Sequence, residues 1–221
     1  MSYAGHVSPG DAPITRDAGT ARITKLSVSG MDNNVYLVTD SDTGEGLLID
    51  AANDWPAIRA MVDADGGTVR QIATTHRHHD HVGALRDAVA ATSARTLAGA
   101  DDAEHLPVAV DRALHDGDTV QVGALTMDVV GLRGHTPGSI ALSFRGSDGM
   151  THLFTGDSLF PGGVGGTDRY DYQSFAQLID DVEERIFGRY DDNTWVYPGH
   201  GDDTTLGTER PRLTEWRSRG W

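Results

Sequence analysis

The chain of 221 residues contains no cysteine. That absence excludes disulfides, thiolate metal sites and a cysteine nucleophile together, so any metal must sit on histidine and carboxylate. Lysine is almost absent: Lys25 stands alone beside 17 arginines, and glutamate is scarce, 6 against 27 aspartates. Positive charge is short overall, 18 basic against 33 acidic residues, for a formal net charge of −15. Such a chain lacks the basic face that neutralises nucleic-acid phosphates or docks on anionic lipid. No apolar run is long enough to span a membrane, and residues 1–19, with Pro, Gly and Asp, lack the apolar stretch of a signal peptide. The expected protein is cytoplasmic, with an acidic surface that reflects GC-rich coding. What is present is ordinary for a folded domain: 38% hydrophobic and 23% charged residues, enough chain for one core.

Residues 1–20 read as a flexible N-terminal arm and residues 21–221 as a single domain. Short β-rich runs at 23–28, 34–39 and 46–50 are separated by Ser29-Gly30 and Ser41-Asp42, which predicts a meander. Asn53 or Asp54 can cap a helix over 55–63 that has Pro56 in its first turn and Gly66-Gly67 beyond its end. A strand at 71–74 leads into a histidine-rich loop, then a helix over 83–92. Strands are expected at 119–122, 125–130, 139–144, 152–155 and 194–197. The apolar stripe Phe175, Leu178, Ile179, Val182 and Ile186 predicts a helix over 172–187, and a last one covers 206–218. Strands then helix, twice, fit an α/β protein with two sheets packed together and helices outside, a four-layer αββα sandwich.

The chemistry lies at strand ends. Thr75-His76-Arg77-His78-His79-Asp80-His81 packs four imidazoles and a carboxylate into a loop after a strand. His76 and His78, two apart, point the same way from an extended segment. Zinc-like ions take about four such ligands, so this wealth of donors suggests two adjacent ions. Three further candidates follow at strand-to-loop junctions: His135 in Gly-His-Thr-Pro-Gly-Ser, Asp157 in Thr-Gly-Asp-Ser and His200 in Tyr-Pro-Gly-His-Gly. Each alone reads as a surface histidine or a turn aspartate. With His76, His78, Asp80 and His81 they make five His and two Asp.

In this order, His76-x-His78-x-Asp80-His81, His135, Asp157 and His200 resemble the metallo-β-lactamase fold superfamily, nearest to the glyoxalase II-like hydrolases. The resemblance runs from about Asn33 to about Leu206. It implies that His76, His78 and His135 bind one divalent ion and Asp80, His81 and His200 a second, with Asp157 bridging. The ions would be zinc, with iron or manganese as alternatives. Asp50, closing Leu48-Ile49-Asp50, matches a position that orients a ligating loop. The implied reaction is hydrolysis of a thioester, or of a lactone or other ester, by a hydroxide bridging the metals, with Asp80 able to act as general base. Asp157 stands where several true β-lactamases carry Cys, and His78 where the di-iron flavoprotein relatives carry Glu, which disfavours both. A mononuclear iron persulfide dioxygenase and a metal-binding protein without turnover remain as alternatives.

Two departures bear on the substrate. Gly166 stands where the resembling families commonly carry Arg, and Arg169 is the candidate to compensate. The glutathione thioesterases carry a helical domain after the last metal histidine, where this chain has residues 201–221. The GC-rich composition points to a lineage using mycothiol, whose S-acyl or S-formyl ester is the expected analogue, with a glutathione-type ester as the alternative. Tyr36, Phe160, Arg169 and Tyr172 are expected to meet this small-molecule substrate, with Tyr170 also near the mouth. His79, His105, His115 and His152 are expected to be surface or packing histidines. Trp216 and Trp221 offer either an interface between two copies or packing on their own chain.

Overall fold

The computed structural model describes residues 3–220; Met1, Ser2 and Trp221 lie outside the described residues. One sheet runs in sequence order: β1 (Ile14–Asp17), β2 (Ala21–Val28), β3 (Asn33–Asp40), β4 (Glu45–Ile49), β5 (Thr68–Thr74), β6 (Arg95–Gly99) and β7 (Arg112–Leu114). It is antiparallel from β1 to β4 and parallel from β4 to β7. The parallel steps need crossovers. Helix α1 (Trp55–Asp65) makes the first and α2 (Leu85–Thr92) the second, while short α3 (Ala100–Ala103) lies between β6 and β7. Asp54 caps α1, accepting from Ala57 N–H, and Gly66 ends it in the left-handed conformation.

The second sheet contains β8 (Thr119–Val122), β9 (Leu125–Gly131), β10 (Ile140–Arg145) and β11 (Thr151–Gly156). A small ribbon follows, β12 (Leu159–Phe160) with β13 (Gly163–Val164). Then α4 (Phe175–Asp181) returns the chain to β14 (Trp195–Pro198) and β15 (Thr204–Thr205), giving the order β15-β14-β11-β10-β9-β8. Short α5 (Leu206–Glu209) and α6 (Leu213–Arg219) close the chain.

The period of two along β3 shows how the layers form. Tyr36 and Val38 point between the sheets, where they meet Leu47, Ile49, Phe154 and Tyr197. Val35 and Leu37 point outward, into a second cluster with Ile58 and Met61 of α1 and Leu85 of α2. On the far face Leu153 and Val196 pack with Leu178 and Ile179 of α4 and Trp216 of α6. These layers make the expected αββα sandwich. Trp216, fully buried, packs on its own chain against Phe187.

Several expectations are corrected here. The described part of the segment read as a flexible arm is tied down: β1 pairs with β2, Val7 is buried, and Tyr3 packs on Trp195. Lys25 is the anchor. Fully buried, its ammonium donates to Gly5 O, Gly201 O and Asp203 Oδ1 at 2.9, 2.7 and 2.7 Å. The helix expected from residue 172 starts at Phe175, because Ser174 caps it and gives its own N–H to Gly134 O. It ends in a wider π turn over Val182–Phe187. The last helix is broken by a tight turn over Arg210–Arg212, where Pro211 removes a donor. Strands β6 and β7 went unread because their alternation is weak and Ala-rich.

Candidate metal centre

Four loops at one end of the sandwich carry the site. The first leaves β5 and is pinned by Asp50, which accepts from Thr75 N–H and Thr75 O–H, both at 2.7 Å. Extended residues then present His76 and His78, and a tight turn over His79–His81 brings Asp80 and His81 to the same side. His135 comes from the loop after β9, Asp157 follows β11, and His200 follows β14. Gly134 has φ +124°, and a Cβ there would lie 2.6 Å from Leu178 N, so this turn requires glycine. Gly199 is also obligatory: a Cβ would stand 2.1 Å from Asp157 Oδ1.

All seven residues converge. One donor atom each from His76, His78 and His135 fall within 4.8 Å of one another, as do those from Asp80, His81 and His200. Asp157 reaches into both groups, with Oδ2 3.5 Å from His135 Nε2 and 3.3 Å from His200 Nε2, and Oδ1 3.3 Å from His81 Nε2.

The outward nitrogens of the histidines are occupied. His135 Nδ1 donates to Gly166 O at 2.8 Å and His200 Nδ1 to Met31 O at 2.7 Å. His81 Nδ1 pairs with Asp50 at 2.9 Å, His76 Nδ1 meets Thr75 Oγ1 at 3.1 Å, and His78 Nε2 meets the Tyr172 hydroxyl at 3.0 Å. A proton held on the outer nitrogen leaves a lone pair on the inner one. The inner Nε2 of His76 and of His135, and Asp157 Oδ1, are buried with no hydrogen-bond partner. Buried polar atoms are rarely left so. Orphaned donors of this kind, nitrogen and carboxylate at ligand spacing, fit divalent metal ions. A third grouping, Asp50 with His76 and His81, also lies within reach. Asp50 already accepts from Thr75 and pairs with His81 Nδ1.

The electrostatics divide the two groups. Burial holds His76 well below the usual histidine range, brings His78 down to about 4 and lowers His135. For His81 and His200 burial also pulls downward, but hydrogen bonds and charge from Asp157, Asp50 and Asp80 prevail, raising His81 strongly and His200 to about 10. Burial acts to raise Asp80, yet hydrogen bonds from His200 and Asn33 and the charge of His81 hold it well below the carboxylate range. A metal entering the His76 group at neutral pH thus displaces no protons, whereas one entering the Asp80 group must displace those on His81 and His200. Proton release on metal titration in weak buffer should show one pH-independent step between pH 6 and 8. The second step should tighten about tenfold per pH unit for each proton displaced.

The structure also separates the neighbouring candidates. Tyr36 is not at the mouth: it is buried between the sheets, donating to Pro198 O at 2.7 Å, because β3 turns even-numbered residues inward. Phe160 is half-buried beside the site, its ring 6.2 Å from that of His200. Arg169 lines the cleft of about 280 Å³ over the histidines, and Tyr172 touches His78. His152 is a packing histidine, buried and joined to Tyr197 and Asp148. His79 projects into solvent, its side chain 71% exposed. His79→Ala should therefore leave metal content unchanged, while His78→Ala releases the ion of its group, as metal analysis after gel filtration would show.

Tyr170, expected near the mouth, lines the cleft, but sequence reasoning missed three other residues. Asn33 Nδ2 donates to Asp80 Oδ2 at 3.0 Å. Gln173 Nε2 donates to the carbonyls of His135 and Gly166. Asp102, fully buried in α3, accepts from Arg77 N–H, Gly138 N–H and the Thr136 hydroxyl, joining two ligand loops. No motif marks these positions; only distant contacts give them their role.

Comparison with known proteins agrees with this geometry. A family model described as the metallo-beta-lactamase superfamily matches residues 28–200. A hydroxyacylglutathione hydrolase of Fuscovulum blasticum is 41% identical over 134 residues, 61% of this chain and 51% of its own length. One from Polaromonas sp. is 33% identical over 171 residues, 75% of this chain and 60% of its own. The chain thus spans about half the length of the first curated relatives it matches. Among solved structures, ETHE1 from Myxococcus xanthus superposes with a TM-score of 0.76 at 29% identity, covering 91% of this chain and 85% of that one. A protein crystallised in a di-iron-bound form gives 0.72 at 28% identity, covering 84% and 96%.

Proposed function

The chain belongs to the metallo-β-lactamase superfamily, and from that premise we propose that it is a dinuclear metal-dependent hydrolase of thioesters of a small thiol. The observation that carries this reading is Asp157: one carboxylate within reach of both donor groups, beside the unpartnered inward nitrogens of His76 and His135. The relatives named as hydroxyacylglutathione hydrolases support the thioester, and the di-iron-bound neighbour supports two ions. His76, His78 and His135 would hold one ion, and Asp80, His81 and His200 the other, with Asp157 between them. Divalent ions there, zinc by preference, supply an acidified water and an electrophile for a carbonyl oxygen.

The chain's own residues do the rest. Asp80, steadied by Asn33 and kept ionised, is placed to accept a proton from water in the cleft. Asp50, Thr75 and the carbonyls of Gly166 and Met31 hold the imidazoles in their working tautomers and orientations. Arg169 faces the cleft as a contact for an anionic part of the substrate. We take the thiol to be a cytoplasmic one of low molecular weight, with mycothiol ahead of glutathione.

The test is a panel of S-acyl esters of mycothiol, glutathione and coenzyme A, run with enzyme purified without chelator, beside metal analysis and oxygen uptake. Two ions per chain, turnover without oxygen, and loss of turnover with chelator are expected. One iron with oxygen consumed on a persulfide would instead establish the dioxygenase. Two tightly held ions with no turnover of any thioester would end the reading.

A further inference from the structure

Among the described residues three large hydrophobic side chains are exposed: Met31 at 51%, Tyr170 at 37% and Tyr172 at 36%. All three are at the mouth of the histidine cleft. Met31 and Tyr170 line it, and Tyr172 touches His78. Exposed apolar side chains gathered at one place mark a binding surface, whereas scattered ones would not.

The tyrosines form a built platform. Their rings stack with centroids 5.1 Å apart and planes 8° apart. The Arg77 guanidinium lies 4.2 Å from the Tyr172 centroid and that of Arg169 lies 5.6 Å from Tyr170. Gln173 Oε1 accepts from the N–H groups of Arg169 and Tyr170, fixing the backbone beneath. A surface held in this way costs little ordering when it binds. Met31 stands on the His200 side, its carbonyl bound to His200 Nδ1, while Tyr170 stands on the His78 side, its ring 5.2 Å from that imidazole. A substrate whose carbonyl sits over the histidines therefore extends along apolar surface where it leaves past Met31 or past Tyr170.

We propose that Tyr170, backed by Tyr172 and faced by Met31, is the specificity-determining residue of the site, selecting substrates with an apolar or flat group next to the scissile carbonyl. The inference rests on the thioesterase reading. The apolar group belongs to either the acyl or the thiol half, which share this chemistry and are told apart by the two arms of the test.

In one arm kcat/KM is measured on acetyl, hexanoyl and benzoyl esters of a single thiol. In the other it is measured on acetyl esters of benzyl mercaptan and 2-mercaptoethanol. The wild type is expected to prefer the apolar member of at least one series by about tenfold. Tyr170→Ala should erase that preference and Tyr170→Phe keep it, with metal content equal in all three proteins. A flat profile in both arms, or a preference that survives Tyr170→Ala, overturns the proposal. If no thioester is turned over, the assigned reaction fails separately, and the rim is read by calorimetric titration of benzoate against acetate on the metal-loaded protein. Tighter benzoate binding that Tyr170→Ala abolishes supports the rim; equal binding overturns it.

Discussion

Asp157→Ala is expected to empty both donor groups of metal and to lower kcat/KM by about 10³-fold or more, about 4 kcal/mol of transition-state stabilisation. Its two oxygens approach His135 in one group and His200 and His81 in the other, at 3.3–3.5 Å. Without it each group keeps three donors, but the shared negative charge between two cations is gone. The fold should survive, since the residue lies in the loop past β11 and its neighbour Gly156 still bonds Gly199. Metal analysis with circular dichroism would show a folded, metal-poor protein. The metal-free variant provides a second readout. Asp157 is among the groups that raise His200 to about 10, so the alanine variant should titrate His200 lower, visible by NMR. Full metal retention in Asp157→Ala would refute the bridging assignment.

The second large effect is expected far from any donor atom. Asp102→Ala leaves the N–H groups of Arg77 and Gly138 and the Thr136 hydroxyl without their buried partner. Orphaning such groups costs about 1–3 kcal/mol each at most, partly relieved by relaxation, so a net loss of about 3 kcal/mol is reasonable. For a chain of this size that lowers Tm by roughly 6–12 °C. Because Asp102 ties the His76 loop to the His135 loop, metal affinity should also fall, by about 10–100-fold, the range for partners that orient ligands. Asp102→Asn, which keeps an acceptor, should recover part of both. A variant with unchanged Tm and metal affinity would show that the two loops hold themselves.

These two residues also show what the sequence reveals and what it hides. Asp157 was legible because it follows an apolar β run and sits in a Thr-Gly-Asp-Ser turn, in order with five histidines and Asp80. Short β-rich runs likewise made β3 and β9 legible, and the apolar stripe on α4 its buried face. Asp102 lies in Ala-Asp-Asp-Ala, one of 27 aspartates, and nothing local distinguishes it. Its role exists only where two loops, 25 and 34 residues away, return to it. Tyr36 was misplaced for a related reason: it was expected at the mouth, but strand parity turns it between the sheets. The start of α4 was misplaced because residues 172–174 were already committed to the loop beneath Gly134, a tertiary contact stronger than their helical preference.

Lys25 has a practical consequence. It is the one lysine in the chain, and it is sealed beneath Gly5 and Gly201. Every other basic side chain apart from histidine is a guanidinium, which ordinary acylating reagents pass over. Amine-directed coupling therefore finds no lysine on the folded surface. Burial, only partly offset by Asp203, lowers Lys25 below the usual lysine range, so once uncovered it returns to being an ordinary amine. Acylation at this single lysine becomes a clock for opening of the contacts that Gly5, Gly201 and Asp203 make over β2, readable as one mass increment, and it reports on the same turn that delivers His200.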